Sequence, residues 1–162
     1  MDLASVTDGK NNSWVNATIA NQLALYVTLY SPLQMAADLP EHYAQHMEAF
    51  QFIKDVDIDW IQSKYLLAEP GEYVVIARQG KKNGQWFCGG VTDDQKRTLD
   101  VPMNFLEPGK TYEATIYADA EDADYKENPQ AYKIWKQNVT SEDILSMTMA
   151  RGGGFAISFQ EL

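Results

Sequence analysis

The first pattern along the chain is a long apolar segment with helical spacing, from Trp14 to Tyr30. Its largest side chains recur three or four positions apart, which is the spacing of one helix face. They are Ile19, Leu23, Tyr26, Val27 and Tyr30. The other side carries alanines and leucines rather than charges, so we predict a helix that is buried on more than one side.

Two further helical stretches follow this first helix. Pro32 ends or kinks it, because proline has no amide donor and disfavours the α conformation at Ser31. A short helical turn is predicted over 33–38. Pro40 suits the first turn of another helix, which we expect to run to about Lys54.

Beyond Asp55 the apolar residues alternate with a period of two, which is typical of β-strands. Alternating runs lie at 98–101, 112–117, 145–149 and 155–159, and the continuous apolar run 73–77 predicts a strand buried on both faces. Turn signals separate the runs, and Pro-Gly favours a type II turn. They are Glu69-Pro70-Gly71, Asn83-Gly84, Glu107-Pro108-Gly109 and Gly152-Gly153-Gly154. Seven or eight short strands with such turns predict a mainly-β fold, an antiparallel β-sandwich with Greek-key connections.

These patterns divide the chain into three parts. Residues 1–12 are polar and are expected to be a leader or a segment added in cloning, residues 13–56 form the α-helical segment, and residues 57–162 form the sandwich. Residues 1–13 lack the apolar core of a secretory signal. No membrane span is expected, since polar residues interrupt the most apolar stretch, 23–37, and a span needs about 20 apolar residues.

Composition excludes classes of function and says less about the fold. The 162 residues include 23 acidic and 13 basic side chains, for a net charge of −10. Such a chain repels phosphate backbones, so we expect no nucleic-acid binding. The 45% of hydrophobic residues suffice for a packed core. The single cysteine, Cys88, excludes an intrachain disulfide and a cysteine-based metal cage, and its apolar surroundings predict a small buried hydrophobe.

Candidate metal-ligating side chains are few. His42 and His46 are four positions apart and could share one helix face, as metal ligands do, but no third ligand is marked. Two histidines alone do not define a zinc site, so we favour a solvated helix face. The densest acidic run consists of Asp119, Glu121, Asp122, Asp124 and Glu127. It lacks the glycine and the alternating ligands of a calcium loop, so we expect a solvated hairpin loop there.

Glycine and aromatic residues supply the remaining candidates. A phosphate-cradling loop precedes a helix, whereas a strand follows Gly152–Gly154, so a tight turn or bulge is expected. The residues that could form a sugar-stacking platform are Trp60, Trp86, Trp135, Tyr125 and Tyr132. Core or interface packing is the commoner use of such rings. No nucleophile elbow and no distinguishable carboxylate pair appears, so we assign no catalytic, cofactor-binding or metal-binding residue.

Several runs carry a resemblance to a known family. The most specific is 20–41, which contains Tyr-Ser-Pro-Leu-Gln-Met-Ala-Ala-Asp-Leu-Pro at 30–40. Others are Phe52-Ile-Lys-Asp-Val56, Ile76-Ala-Arg78, Trp86-Phe87, Ala123-Asp124-Tyr125 and the glycines at 152–154. Over essentially residues 15–159, the chain resembles the last barrel helices and the C-terminal β-sandwich domain of glycoside hydrolase family 97, whose members are bacterial α-glucosidases and α-galactosidases.

The resemblance implies a non-catalytic role. Residues 13–56 would be the end of a (β/α)8 barrel, and the sandwich would stabilise that barrel, since the family's catalytic carboxylates and calcium ligands lie in earlier parts of the chain. It implies no cofactor in this chain, calcium only in the parent catalytic domain, and a periplasmic or extracellular parent.

Two alternatives remain at this point. One is a carbohydrate-binding module that binds α-glucans or small α-glycosides through exposed aromatic residues. The other is a protein-interaction domain. The expected partners are the parent barrel and a second copy of the chain, which would bind through the apolar surface of helix 14–30.

Overall fold

The computed structural model describes residues 15–31, 33–36 and 40–162. Its helices are α1 (Ile19–Thr28), α2 (Pro40–Ala44) and α3 (Met47–Asp55). Its strands are β1 (Trp60–Glu69), β2 (Tyr73–Gly80), β3 (Trp86–Thr92), β4 (Arg97–Pro102), β5 (Tyr112–Asp119), β6 (Tyr132–Val139), β7 (Ile144–Met149) and β8 (Gly154–Glu161). The predicted fold class, a mainly-β chain preceded by helices, is confirmed. The predicted leader, 1–12, lies outside the described residues.

The strands form a sandwich of two unequal antiparallel sheets. Six strands form one sheet in the order β1-β2-β3-β8-β5-β6, and β4 and β7 form the other. The chain crosses to the smaller sheet after β3 and again after β6, so β8 returns to lie between β3 and β5. These crossovers between strands distant in sequence are the predicted Greek-key connections.

Both faces of the central strands β2, β3, β5 and β8 in the six-stranded sheet are largely buried. The smaller sheet covers one face, where Cys88, Met149 and Phe155 belong to the core between the sheets. Helices α1 and α3 cover the outer face, which presents Phe87, Tyr117 and Ala156 to them. Neighbouring residues of a strand point to opposite faces, so a strand covered on both sides is apolar at consecutive positions. This explains the continuous apolar runs of the central strands.

The helical segment differs from its prediction at its boundaries. Helix α1 begins at Ile19 rather than Trp14, because Thr18 caps it: the Thr18 Oγ1 accepts a hydrogen bond from the Asn21 backbone nitrogen at 3.1 Å. Trp14 itself lies outside the described residues. Residues 33–36 of the predicted turn are not helical, and the predicted residues 37 and 38 are not among those described.

The single helix predicted from Pro40 to Lys54 is two helices. Helix α2 ends at Ala44 and α3 begins at Met47. His46 has φ −132° and ψ 42°, which is not helical, and its backbone nitrogen donates to the Tyr43 carbonyl at 3.0 Å. This hydrogen bond over three residues closes a tight turn instead of continuing the helix.

Most of the predicted apolar helix surface is buried within the chain, whereas Leu29 and Tyr30 at its carboxyl end are exposed. The sheet of the same chain buries Ile19, Leu23, Ala24 and Val27 of α1. Gly89 of β3 permits this close approach, since a Cβ there would lie 2.9 Å from the Ala24 carbonyl oxygen. None of the described helices is long and apolar enough to cross a membrane.

Candidate functional site

The glycine turn, residues 150–154 between β7 and β8, is where several elements meet. The amino end of α1 and the carboxyl ends of β3 and β5 reach this turn. Gly153 has no room for a side chain, since a Cβ there would overlap the Asp119 Oδ2 atom and lie 2.7 Å from the Ala150 nitrogen. The predicted tight turn is therefore present, and its glycines allow close contact with Asp119 and Ala150.

Hydrogen bonds fasten the start of α1 to this turn. The Thr18 backbone nitrogen donates to the Gly152 carbonyl at 3.1 Å. The buried Asn21 side chain donates from Nδ2 to the Gly153 carbonyl at 2.9 Å. Nearby, the Ile19 nitrogen donates to the Pro129 carbonyl at 3.0 Å. Three donors at the amino end of α1 are thus satisfied by loops of the sandwich, which fixes the position of that end.

Asp119 joins the same turn from the end of β5. Its Oδ2 atom accepts hydrogen bonds at 2.8 Å from the backbone nitrogens of Ala150 and Gly154. The residue is only 4% exposed, and its Oδ1 atom has no hydrogen-bond partner within the described chain. Burial raises the pKa of Asp119, and the two amides and the nearby Thr18 hydroxyl offset only part of that increase.

The rest of the acidic run lies in the loop between β5 and β6, as predicted. Asp124 is tied within the loop, where its Oδ1 accepts from the Lys126 nitrogen at 2.8 Å. Its Oδ2 pairs with Arg151 of the glycine turn at 3.2 Å. Glu121, Asp122 and Glu127 are exposed. Within the described residues no three His, Cys, Asp or Glu side chains converge as a metal site would require.

Arg78 holds the other end of α1. It lies in the middle of β2 and is 5% exposed. Its Nε donates to the Val27 carbonyl at 2.6 Å, and its Nη1 donates to the Ser63 hydroxyl at 3.0 Å. The rings of Tyr30 and Trp60 lie 5.6 and 5.8 Å from the guanidinium carbon.

This arginine acts as a cap supplied by the sheet. Val27 is in the last turn of α1, where carbonyls lack intrahelical partners and the helix dipole is negative. No carboxylate in the described ranges forms an ion pair with Arg78. Burial lowers the pKa of the guanidinium, but an arginine keeps its charge at neutral pH. The helix end and the two aromatic rings are what stabilise this buried cation.

The five aromatic residues considered for a sugar-stacking platform lie in separate places. Trp86 is buried between the sheets, and Trp135 packs against the same core. Trp60 and Tyr132 pack instead on the outer face with the helices. Tyr125 lies over the glycine turn, with its ring 5.4 Å from the Arg151 guanidinium carbon. The five rings serve separate contacts, which agrees with the alternative of core and interface packing.

His42 and His46 do not share a helix, because the break between α2 and α3 separates them. Both are half-buried rather than solvated, and the His46 Nδ1 lies 3.3 Å from the Tyr132 hydroxyl. Cys88 is fully buried between the sheets, and this burial raises the pKa of its thiol. It is the small buried hydrophobe that the sequence predicts.

Sequence reasoning missed the roles of Thr18, Asn21 and Arg78. One signal was available: Arg78 is the only charged residue between Tyr73 and Gly80, and it directly follows the run 73–77 predicted to be buried on both faces. A charge at such a position requires a specific partner. The partner, a helix carbonyl 51 positions earlier in the chain, is not indicated by any local pattern.

Comparison with known proteins gives consistent matches. The model of the glycosyl-hydrolase 97 C-terminal, oligomerisation family matches residues 59–160. A retaining alpha-galactosidase of Bacteroides thetaiotaomicron is 35% identical over 143 residues, which are 88% of this chain and 21% of the relative. A probable retaining alpha-galactosidase of Streptomyces bingchenggensis is 31% identical over 140 residues, which are 86% of this chain and 20% of the relative.

Solved structures are similar as well. A glycoside hydrolase family 97 enzyme from Pseudoalteromonas sp. strain K8, solved in complex with acarbose, superposes with a TM-score of 0.90 at 47% identity. The match covers 92% of this chain and 23% of that one. A beta-arabinopyranosidase with a TM-score of 0.75 at 19% identity shares the fold. The chain therefore spans about a fifth of the length of the curated relatives it matches.

Proposed function

Because the chain belongs to the family of glycosyl-hydrolase 97 C-terminal domains, we propose that it is the non-catalytic C-terminal region of an α-glycosidase and that it stabilises the catalytic barrel. The parent enzyme hydrolyses terminal α-linked glucose or galactose in the periplasm or outside the cell. The names of the relatives, which include retaining alpha-galactosidases, support this class of substrate.

The attachment of α1 at both ends is the observation that carries the proposed role. By resemblance, α1 is a final helix of the barrel. Thr18 and Asn21 bind its amino end to the glycine turn, and Arg78 binds its carboxyl end to β2. A sandwich that fixes both ends of a barrel helix restrains the barrel wall to which that helix belongs.

The acidic residues of the described chain support a non-catalytic domain. Glycoside hydrolysis uses two carboxyl groups on either side of the scissile bond. Here many acids are held in ion pairs: Glu72 and Asp93 with Arg97, Glu113 with Lys136, Asp124 with Arg151, and Glu107 and Glu161 with Lys110. The one deeply buried acid, Asp119, is enclosed by the glycine turn, where a sugar has no access.

Metal chemistry is assigned to the parent alone. The resemblance implies calcium in the catalytic domain, whereas the acids described in this chain are dispersed or paired and do not fit a calcium site. Calcium, when bound in the parent, supplies charge stabilisation there, and no step in this chain uses it.

The catalytic part of the proposal is tested with the chain itself. Incubation with chromogenic α-glucosides and α-galactosides, with and without calcium, is expected to give no turnover. Hydrolysis that disappears when an acid within 1–162 is replaced by its amide would contradict a non-catalytic role. The stabilising part is tested in the full-length enzyme, where Arg78→Met is expected to lower the temperature at which activity is lost without changing KM.

Self-association is a second proposed activity. The description of the matched family associates it with oligomerisation. We expect the 162-residue chain to form a dimer or larger oligomer at micromolar concentration in light scattering. A monomeric mass at every concentration would remove this second activity and leave the stabilising role intact.

A further inference from the structure

We propose that the outer edge of β1, together with the groove beside it, is the surface that binds a second copy of this chain. The inference rests on the proposed self-association and identifies where it takes place. The β1 edge is defined by Ile61, Lys64 and Tyr65, and the groove by Ser63, Leu66, Asn104 and Phe105 along with Lys64 and Tyr65.

Exposed apolar side chains concentrate at this edge. Within the matched range 59–160, three large apolar residues of the described structure are strongly exposed: Ile61 at 59%, Tyr65 at 73% and Ile144 at 66%. Two of the three lie on β1. Tyrosine is enriched at the centres of protein interfaces, because its ring buries a large area at little entropic cost.

The backbone of β1 is also available on that side. Within the described sheet, β1 pairs only with β2, so its outer edge has no strand partner. Edge strands are commonly protected from association by charged side chains, especially lysine. The opposite edge, β6, has such protection in its exposed Lys133 and Lys136. On β1 the only such residue is Lys64, and Ile61 and Tyr65 flank it.

The distribution of charge also favours β1 as the surface that binds a second copy. The ten residues of β1 contain one Lys and one Glu, so the strand is neutral, whereas the whole chain carries −10. Two copies of an acidic chain repel each other least where neutral strips meet. This argues for a second copy of the same chain bound at β1 rather than at the charged loops of the sandwich.

The groove gives the edge a concave shape. It has a volume of about 560 Å³ and lies between β1 and residues 104 and 105 of the loop after β4. The register of β1 shifts between Trp60 and Gln62 and between Tyr65 and Leu67, which limits a continuous ladder with another strand. Binding therefore depends on side chains, with Tyr65 and Ile61 of each copy packed against the edge and groove of the other.

A second exposed apolar group is assigned to a different partner. Leu29, Tyr30, Leu33 and Met35 are also exposed. They follow α1 and lie outside the range matched by the oligomerisation family. By the proposed function, this segment continues from a barrel helix, so the remainder of the enzyme covers it.

The test compares Ile61→Lys and Tyr65→Lys with the matched control Ile144→Lys, which places the same charge at an equally exposed apolar position on β7. Lysine makes the net charge less negative, so any loss of association cannot come from added overall repulsion. The mass of each full chain is measured by light scattering over a concentration series, and circular dichroism and thermal unfolding report folding.

Each β1 variant is expected to stay folded and to raise the dissociation constant by at least about tenfold, as for a central interface residue. Ile144→Lys is expected to leave that constant unchanged. The assignment to β1 is overturned if Tyr65→Lys and Ile61→Lys each self-associate as tightly as the wild-type chain. It is also overturned if Ile144→Lys raises the dissociation constant. A wild-type monomer instead overturns self-association itself.

Discussion

At the scale of single residues, Asp119 shows how one member of a uniform pattern can have a separate role. The five acids from Asp119 to Glu127 look alike in sequence, and the hairpin loop predicted for them is present. Asp119, however, is the last residue of β5 and points into the glycine turn. The side-chain direction at a strand end decides which acid is buried, and composition carries no information about it.

Burial of the Asp119 carboxyl predicts a pH-dependent decrease in the free energy of unfolding. Its pKa is raised in the folded chain, so folding disfavours the ionised form. The cost is absent below the ordinary pKa of aspartate, about 4, and grows as pH rises through the folded-state value. Each unit of increase in pKa corresponds to about 1.4 kcal/mol.

Asp119→Asn removes that charge while keeping an acceptor for the amides of Ala150 and Gly154. The free energy of unfolding of the variant relative to the wild type is therefore expected to rise as the pH increases above about 4. Urea titrations at several pH values measure this difference. Asp122→Asn is the control, because Asp122 is exposed in the same loop. A constant difference between Asp119→Asn and the wild type across the range would show that the charge carries no cost.

At the scale of elements, the sequence predicted that α1 is an apolar helix but did not predict the hydrogen bonds that attach both its ends to the sandwich. Its periodicity gives the buried face, and Thr18 is a typical capping residue. The attachments lie elsewhere: Gly153 and Arg78 are more than fifty positions away in sequence. Local patterns specify elements and their apolar faces, whereas the hydrogen bonds between elements depend on the tertiary arrangement.

The cap on the carboxyl end of α1 gives a direct prediction. Arg78→Met keeps much of the aliphatic stem but removes the hydrogen bonds to Val27 and Ser63. Loss of such charge-assisted hydrogen bonds is expected to lower the free energy of unfolding by about 1.5–3 kcal/mol. Urea unfolding followed by tryptophan fluorescence measures the change.

Lys81→Met is the matched control for that experiment. Lys81 follows β2 directly and pairs with Asp59 at 3.0 Å, but both side chains are more than half exposed. Exposed pairs contribute little, so the control is expected to unfold almost as the wild type does. If Arg78→Met and Lys81→Met lowered the free energy of unfolding equally, the Arg78 cap would contribute no more than an exposed ion pair.

At the scale of the whole molecule, the sequence predicted the fold class but not what packs against the helices. The period of two and the Pro-Gly turns identified the sandwich, and Gly71 and Gly109 have the positive φ, 85° and 80°, that type II turns require. The apolar surface of the first helix was expected to be covered by the parent barrel. The outer face of the six-stranded sheet covers the side with Ile19, Leu23 and Val27, while Leu29 and Tyr30 are exposed. Apolar periodicity cannot specify this pairing, because it gives a buried face without its partner.

This shared core predicts that residues 57–162 are not independent of the helices. Removal of 1–56 would expose Phe87, Tyr117 and Ala156 on the outer face of the sheet and leave the Arg78 guanidinium without the Val27 carbonyl. Each large side chain returned to water costs about 1.5–3 kcal/mol. The fragment is therefore expected to bind a hydrophobic dye and to unfold at lower urea concentration than the full chain.

A peptide of residues 15–58, added back to this fragment, should reverse the dye binding because it supplies α1 and α3. A fragment with the stability of the full chain and no dye binding would mean that the predicted boundary near residue 57 separates two independent units and that the helices add nothing to the sandwich.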